Sequence, residues 1–287
     1  VSNSTYQLID SGAFRKLEQV GPFRIVRQAL SAVWEPKLPA SEWNAADAQY
    51  DRHSDGGGEW KIKNPKIESP FEIDIDGIKF QVKLTSFGHL GLFAEQKRHW
   101  QTLETWVKKQ SSTGRAIRVL NLFAYTGGST LFCARGGAEV AHVDASKGTV
   151  RWASENAKAS GLTDAKIRWL VDDVKEFVSK DVRRGTKYDA VILDPPSYGK
   201  GEKKQIWKIE RDLTPLLWQL RKLLNLNQEC LVCLSAHTEG YSPVSLRNQL
   251  VSVFGPGEIE MGEMLIPDQF DRPLPSGAGA IWTNRPK

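Results

Sequence analysis

Apolar and polar residues alternate in two rhythms along this chain, and the change falls near residue 115. Before it, period-two runs dominate at 6–10, 16–20 and 23–28, punctuated by Gly12 and Gly21-Pro22. That period sets alternate side chains on opposite faces of a strand, with glycine and proline marking the turns. The clearest case is Phe71, Ile73 and Ile75, then Asp76-Gly77, then Ile78, Phe80, Val82 and Leu84. An Asp-Gly turn between alternating runs predicts a hairpin. Between these pieces the pattern predicts a short helix over 41–50, with Ser41 as cap, and a flexible loop at Ser54-Asp-Gly-Gly-Gly58. Residues 87–93 are punctuated by glycine and read as a connector. A helix over 94–109 follows, with Trp100, Leu103, Trp106 and Val107 on one face, and Ser111-Ser-Thr-Gly114 ends it.

From Arg115 onward, strand-length apolar runs alternate with helical spacing. Strands are expected at 117–123, 139–143, 166–170, 188–193 and 229–234, and helices at 129–135, 147–160, 173–182, 206–224 and 243–254. This alternation implies a parallel sheet with right-handed crossovers. Two β runs, 257–265 and 278–283, close the chain with only a loop between them. The expected fold is α/β: a Rossmann-like, mostly parallel seven-stranded sheet with a terminal antiparallel hairpin. A small β-rich domain over 1–93, on the substrate side, would precede the main domain at 94–287.

Composition narrows the picture modestly. With 287 residues, 40% apolar and 25% charged, the chain is of ordinary globular type. No run approaches the ~20 apolar residues of a membrane helix, so no membrane partner is expected. Residues 1–5 hold no apolar signal stretch, and the chain opens on Val1, which leaves a removed leader as an open alternative. Cys133, Cys230 and Cys233 are the only cysteines. So few in a chain this long argue for a reducing, cytoplasmic compartment. Cys230 and Cys233 have CxxC spacing, but residues three apart on a strand face opposite sides, which argues against a metal clip or redox pair. The five histidines show no ligand spacing, and no metal is expected. The net charge of +5 has its excess in 111–200, with 14 basic against 10 acidic groups. It permits RNA binding without establishing it.

Four strand ends carry the candidate chemistry. The first strand runs into Tyr125-Thr126-Gly127-Gly128, a turn ahead of a helix. Ligands of open α/β sheets lie beyond the carboxyl ends of the strands, and glycine lets the backbone approach where a Cβ would collide. Adjacent glycines are not the G-x-G-x-x-G of dinucleotide binders, so the turn suits an amino-acid-like tail better than a pyrophosphate. A plain strand–helix turn is the structural alternative. Asp144 ends the second strand roughly 20 residues on, placed to accept from ribose hydroxyls. Ser146 beside it doubles as a helix cap. Asp172 and Asp173, ahead of Val174, end the third strand; a carboxylate there could accept from an adenine amino group, or could cap the next helix. Asp194-Pro195-Pro196-Ser197-Tyr198 ends the fourth. Two prolines fix φ and remove two donors, which holds Asp194 rigidly with its acceptors free. Tyr198 adds a planar face, and the pairing suits a flipped-out base. Lys200, Lys203 and Lys204 follow, as a phosphate-contacting rim or a solvated loop.

In this order these blocks resemble a class I S-adenosylmethionine-dependent methyltransferase, whose parallel sheet also closes on an antiparallel hairpin. Residues 121–129 (Asn-Leu-Phe-Ala-Tyr-Thr-Gly-Gly-Ser) and 193–198 (Leu-Asp-Pro-Pro-Ser-Tyr) look like the bacterial 23S ribosomal-RNA methyltransferase group that includes the large-subunit 5-methylcytosine enzymes. Gly91-Leu-Phe-Ala-Glu-Gln96-Lys-Arg98 resembles a segment ahead of that group's catalytic domain. The likeness covers about residues 70–285, and the first sixty residues resemble a branch without the RNA-binding PUA domain. It implies S-adenosyl-L-methionine as cofactor, held by Asn121, Phe123, Tyr125, Thr126, Gly127, Gly128, Asp144, Ser146, Asp172, Asp173 and Val174, with Gln96 closing the pocket. It further implies an acceptor held by Asp194, Pro195, Pro196 and Tyr198, with RNA, most simply ribosomal, as partner of a monomer or homodimer.

One block departs from the group. Its carbon-methylating members need a nucleophilic Cys in a Ser-Cys-Ser-like block after the fifth strand, but residues 231–237 read Leu-Val-Cys-Leu-Ser-Ala-His, with Cys233 early. The expectation is therefore direct transfer to a nucleophilic atom, a nitrogen, with Cys233 a buried strand residue and His237 a candidate base. Protein or small-molecule acceptors, an NAD-dependent oxidoreductase and a non-catalytic RNA-binding protein are the competing readings.

Overall fold

The computed structural model describes residues 5–53, 57–201 and 205–284. Part of the glycine loop (54–56) and Lys203 and Lys204 lie outside the described residues. The chain divides into two compact units, residues 1–95 with 265–276, and residues 96–264 with 277–287.

In the first unit, β1 (Tyr6–Gly12), β2 (Arg15–Val20), β3 (Phe23–Gln28), β4 (Ala48–Arg52) and β5 (Gly58–Ile62) form one sheet in that order, with a short helix α1 (Ala40–Asn44) before β4. The expected helix over 41–50 is thus only five residues long; it follows Pro39, with no side-chain cap from Ser41. Residues 48–52 are strand instead, pairing with both β3 and β5. Ala48 and Tyr50 are buried at period two, and Asp47 accepts from the Arg24 amide and the Asn64 side chain at 2.7 Å each, which draws the chain into the sheet. Tertiary pairing overrides a weak local helical preference. The predicted hairpin is present as β6 (Phe71–Ile75) and β7 (Ile78–Val82), with Asp76 and Gly77 both left-handed, as a tight primed turn requires.

The second unit opens with a 3-10 turn (Ala94–Gln96) and α2 (Lys97–Ser111). There follow β8 (Arg118–Leu122), α3 (Gly128–Arg135), β9 (Glu139–Asp144), α4 (Lys147–Ala159), β10 (Ile167–Val171), α5 (Val174–Arg184) and β11 (Ala190–Leu193). A short ribbon of β12 (Tyr198–Lys200) and β13 (Ile206–Lys208) precedes α6 (Ile209–Leu223), β14 (Leu231–Ala236) and α7 (Pro243–Phe254). β15 (Glu258–Ile266) and β16 (Leu274–Thr283) end the chain. The seven-stranded order is β10-β9-β8-β11-β14-β16-β15, parallel through β14 and antiparallel at β14–β16. The expected α/β architecture is therefore present. Among the expected helices, the one from residue 206 begins three residues later, because 206–208 pair with β12.

Both faces of this sheet are covered, which is why its central strands read as continuous apolar runs. Leu120, Leu122, Val191, Leu193 and Val232 pack with Phe177, Leu217 and Leu250 of α5, α6 and α7. On the other face Val119, Ile192 and Leu231 meet Leu103, Trp106 and Val107 of α2. Cys230 belongs to the first core and Cys233 to the second, so the CxxC pair is split between faces as its strand spacing requires. No helix among the described residues is long and apolar enough to cross a membrane.

Candidate active site

The turn after β8 is held in an unusual backbone conformation. Phe123, Tyr125 and Gly127 all have left-handed φ, at 53, 49 and 92°. Two of these are not glycine, and such residues persist only where their surroundings over-determine them. Here the Ala124 amide donates to the Val143 carbonyl (3.1 Å), the Tyr125 amide to Asp144 Oδ2 (2.9 Å), and Asn156 Nδ2 to the Thr126 carbonyl (3.0 Å). Asp144 Oδ1 accepts from the Ser146 amide at 2.9 Å. Burial pushes the Asp144 carboxyl above its usual range, and the two amide bonds oppose that. Each carboxylate oxygen has two acceptor positions, so these bonds leave capacity for hydroxyl donors.

The two glycines of the turn have different reasons to be glycine. A Cβ on left-handed Gly127 would stand 3.1 Å from the Ala153 methyl. Gly128 has an ordinary φ, but a Cβ there would stand 2.5 Å from Cζ2 of the Trp100 indole. The space at Gly128 is thus taken by a core tryptophan. Asn121 also turns inward. Its Nδ2 donates to Thr130 Oγ1 (2.9 Å), which contacts His142 Nδ1 at 2.9 Å, and burial pushes that imidazole down to about 3. The Phe123 ring packs on Trp207, with centroids 4.8 Å apart.

On the next two strand ends the capping alternatives are realised. Ser146 accepts from the Thr149 amide at 3.2 Å and caps α4. Asp173 accepts from the Lys175 and Glu176 amides, at 2.9 and 3.1 Å, and caps α5. Asp172 accepts from the Asp173 amide (3.0 Å) and pairs with Lys180 (2.8 Å), while Val174 is buried in the core. A hollow of about 80 Å³ nonetheless opens here, lined by Ala145, Val171, Asp172, Asp173, Glu176, Gly201 and Gln205.

Asp194, at the end of β11, is clamped rather than free. Gln96 Nε2 donates to Asp194 Oδ2 at 3.0 Å and to Ser235 Oγ at 2.9 Å, and Gln96 Oε1 lies 3.0 Å from His99 Nδ1. A carboxylate only accepts, so the amide nitrogen must face it; the amide oxygen then faces His99 and sets its proton on Nδ1. Asp194 Oδ1 is buried without a hydrogen bond, and His237 Nδ1 lies 3.4 Å from it. Burial raises the Asp194 carboxyl, but the neighbouring His237, Ser235 and Gln96 side chains together hold it below its usual range. Pro195 is buried, while Pro196 and Tyr198 are exposed. The Pro196 carbonyl accepts from Trp207 Nε1 at 2.7 Å, so the ring that carries Phe123 also braces this loop.

Cys233 is 2% exposed, and burial pushes its thiol far up, which is the opposite of what a nucleophilic thiolate needs. Sequence reasoning missed His99, Ser235 and Trp207. His99 and Trp207 had no local signal, and Ser235 showed only as one of two residues, with Leu234, near the place of the group's nucleophilic cysteine.

Residues 14–245 match the family model described as S-adenosylmethionine-dependent methyltransferase. Among solved structures, the chain is similar to a SAM-dependent methyltransferase from Agrobacterium tumefaciens: 34% identity, TM-score 0.91, covering 100% of this chain and 92% of that one. Among curated proteins, it is 32% identical over 155 residues to ribosomal RNA large subunit methyltransferase K/L of Shewanella frigidimarina, covering 53% of this chain and 20% of that protein. It is 33% identical over 164 residues to ribosomal RNA large subunit methyltransferase K of Neisseria meningitidis serogroup B, covering 56% and 44%. The chain spans less than half the length of either curated relative.

Proposed function

Since the chain belongs to the S-adenosylmethionine-dependent methyltransferase family and S-adenosyl-L-methionine is its methyl donor, we propose that it methylates a nitrogen of an RNA nucleobase directly, most simply in ribosomal RNA. The observation that carries this reading is Asp194-Pro195-Pro196-Ser197-Tyr198 at the end of β11, with a clamped carboxylate and an exposed aromatic face four residues apart.

The residues present fit the donor. The left-handed turn at 125–127 offers close backbone approach to an amino-acid tail, and Asp144 keeps acceptor positions for ribose hydroxyls. The hollow beside Ala145 and Asp172 receives the adenine. When bound, the donor supplies a sulfonium-activated methyl group. The protein's contribution is then positioning: holding the acceptor ~3 Å from that methyl supplies much of the acceleration. Tyr198, 49% exposed, stacks on the acceptor base, and the two prolines keep its loop from relaxing. The sealed Cys233 argues against a covalent adduct on a ring carbon and so favours direct transfer to a nucleophilic atom, a nitrogen in this proposal. The names of the curated relatives support an RNA acceptor, and a cytoplasmic location is part of the same proposal.

The test is to incubate RNA and protein fractions from cells lacking this gene with the purified protein and isotopically labelled donor, then map the label by mass spectrometry. Label on a base nitrogen of large-subunit RNA is expected. Label confined to protein or small molecules would refute the RNA reading.

A further inference from the structure

At the opposite end of the sheet from the donor turn, the starts of β8, β9 and β10 frame a hollow of about 310 Å³. Its charged lining is Arg118, Glu139, Lys166 and Arg168, with Tyr188 beside them. The five residues of β8 separate it from that turn, ~17 Å at ~3.3 Å per residue. Ala141 leaves the space: it pairs with Leu120 on one side and Arg168 on the other, and a methyl fills little of the row between them.

The lining holds three cations against one carboxylate. Glu139 is taken by Lys166 at 2.7 Å. Among the described residues, the Arg118 and Arg168 side chains have no hydrogen bond or ion pair; the Arg118 guanidinium lies over the Tyr188 ring, 5.3 Å from its centroid. That ring is a fixed platform, since its hydroxyl donates to Asp181 at 2.7 Å and Asp181 also accepts from Arg184 at 3.2 Å. A guanidinium stacked on a ring keeps its donor fork at a set angle for an oxyanion. Burial pushes the Tyr188 phenol well above its usual range, and the Arg118 and Arg168 charges oppose that, so both cations act on one ring. Of the other basic groups in the cation-rich stretch 111–200, Arg115, Arg135, Arg151, Lys175, Lys180 and Arg184 are spent on carboxylates. Uncompensated positive charge beside a hollow calls for an anion.

We infer that this hollow is a second RNA contact, where Arg118 and Arg168 take phosphate groups of the acceptor's backbone a strand's length from the transfer site. This rests on the RNA acceptor proposed above. The two Cα atoms stand two strands and two residues apart, about 12 Å by strand spacing and rise. That separation suits charge repeated along a chain better than the single point of a free phosphate. Phosphate contacts position a nucleic acid without reading its sequence, so the hollow adds affinity and leaves the choice of base to the other end of the sheet.

The test is fluorescence anisotropy of labelled poly(U) RNA over a range of salt concentrations, with wild type and Arg118→Gln/Arg168→Gln. Each phosphate contact to a single strand contributes ~0.7 to the slope of log K against log salt, so the double variant should lose ~1.4. Arg168→Gln alone, which removes no bond from the fold, should lose ~0.7. A control pair on α4, Arg151→Gln/Lys158→Gln, removes the same charge and should keep the wild-type slope. Affinity for the demethylated donor by calorimetry should be unchanged, and acceptor KM should rise at constant kcat. A wild-type slope in the double variant, or an equal loss in the control pair, would overturn the inference while leaving the RNA methyltransferase reading standing. Binding of inorganic phosphate or a mononucleotide at the arginine Nε signals by NMR, with the poly(U) slope unmoved, would also overturn it in favour of a small ligand. Failure of the wild type to bind or methylate any RNA would overturn both.

Discussion

Gly128→Ala separates packing from donor binding at the turn the site is built on. The added Cβ would stand 2.5 and 2.6 Å from Cζ2 and Cε2 of Trp100, and 3.0 Å from its Nε1. The favourable carbon–carbon separation is ~3.5–4.0 Å, so two contacts overlap by about 1 Å. Trp100 has little freedom to retreat. It is 4% exposed and stacked on Phe132 at 5.4 Å, which itself lies under the Arg135 guanidinium. Overpacking of this kind costs ~1–3 kcal/mol. The φ at Gly128 is ordinary, so no backbone strain adds to it. For a unit of about 180 residues, each kcal/mol moves Tm by ~2–4 °C, giving an expected fall of about 2–12 °C. The assay is calorimetric melting of Gly128→Ala, Trp100→Phe and the double variant. Trp100→Phe is destabilising alone, but in the double it removes the clashing ring, so the two changes should couple favourably by ~1–2 kcal/mol. Wild-type Tm in Gly128→Ala, or a double variant that is simply the sum of the singles, would refute the packing argument. Loss of donor affinity at unchanged Tm would do so as well, and would return Gly128 to the donor.

Asp144→Asn leaves one oxygen and one amide nitrogen where two amide donors, from Tyr125 and Ser146, now converge. Losing a hydrogen bond to a charged group costs ~1.5–3 kcal/mol, so donor affinity measured by calorimetry should drop at least ~tenfold; wild-type affinity would remove Asp144 from the site. His142 sets part of the acid sensitivity of the fold. Its folded value of about 3 lies below the ordinary 6.5, so the unfolded chain binds a proton that the native one refuses. Its contribution is complete above pH 6.5 and is lost as pH falls toward 3, by at most ~1.4 kcal/mol per pH unit. Burial also lowers His89 and His99, while Glu18, at about 2 against an ordinary 4.5, acts only at lower pH. Urea midpoints between pH 7 and 5 should therefore fall less steeply in His142→Gln than in wild type, and parallel slopes would contradict this.

What the sequence determined by itself is what neighbouring residues encode. Continuous apolar runs reported strands covered on both faces, Asp76-Gly77 reported a primed turn, and CxxC on a strand reported opposite faces. The order of blocks at successive strand ends was legible for the same reason: each motif is complete within a few positions of one strand. Tertiary structure decided the rest. It made 48–52 a strand through pairing on both sides, and it put the Trp100 indole where Gly128 has no side chain. It also turned Asn121 inward to Thr130 and engaged Ser146 and Asp173 as caps. Above all it assembled the clamp on Asp194, whose partner Gln96 is 98 positions away, and joined Gln96 to Ser235 across 139. Local pattern carries the periodicity of one element, whereas a hydrogen bond between strand ends depends on which strands the sheet sets side by side, and no window of sequence holds that.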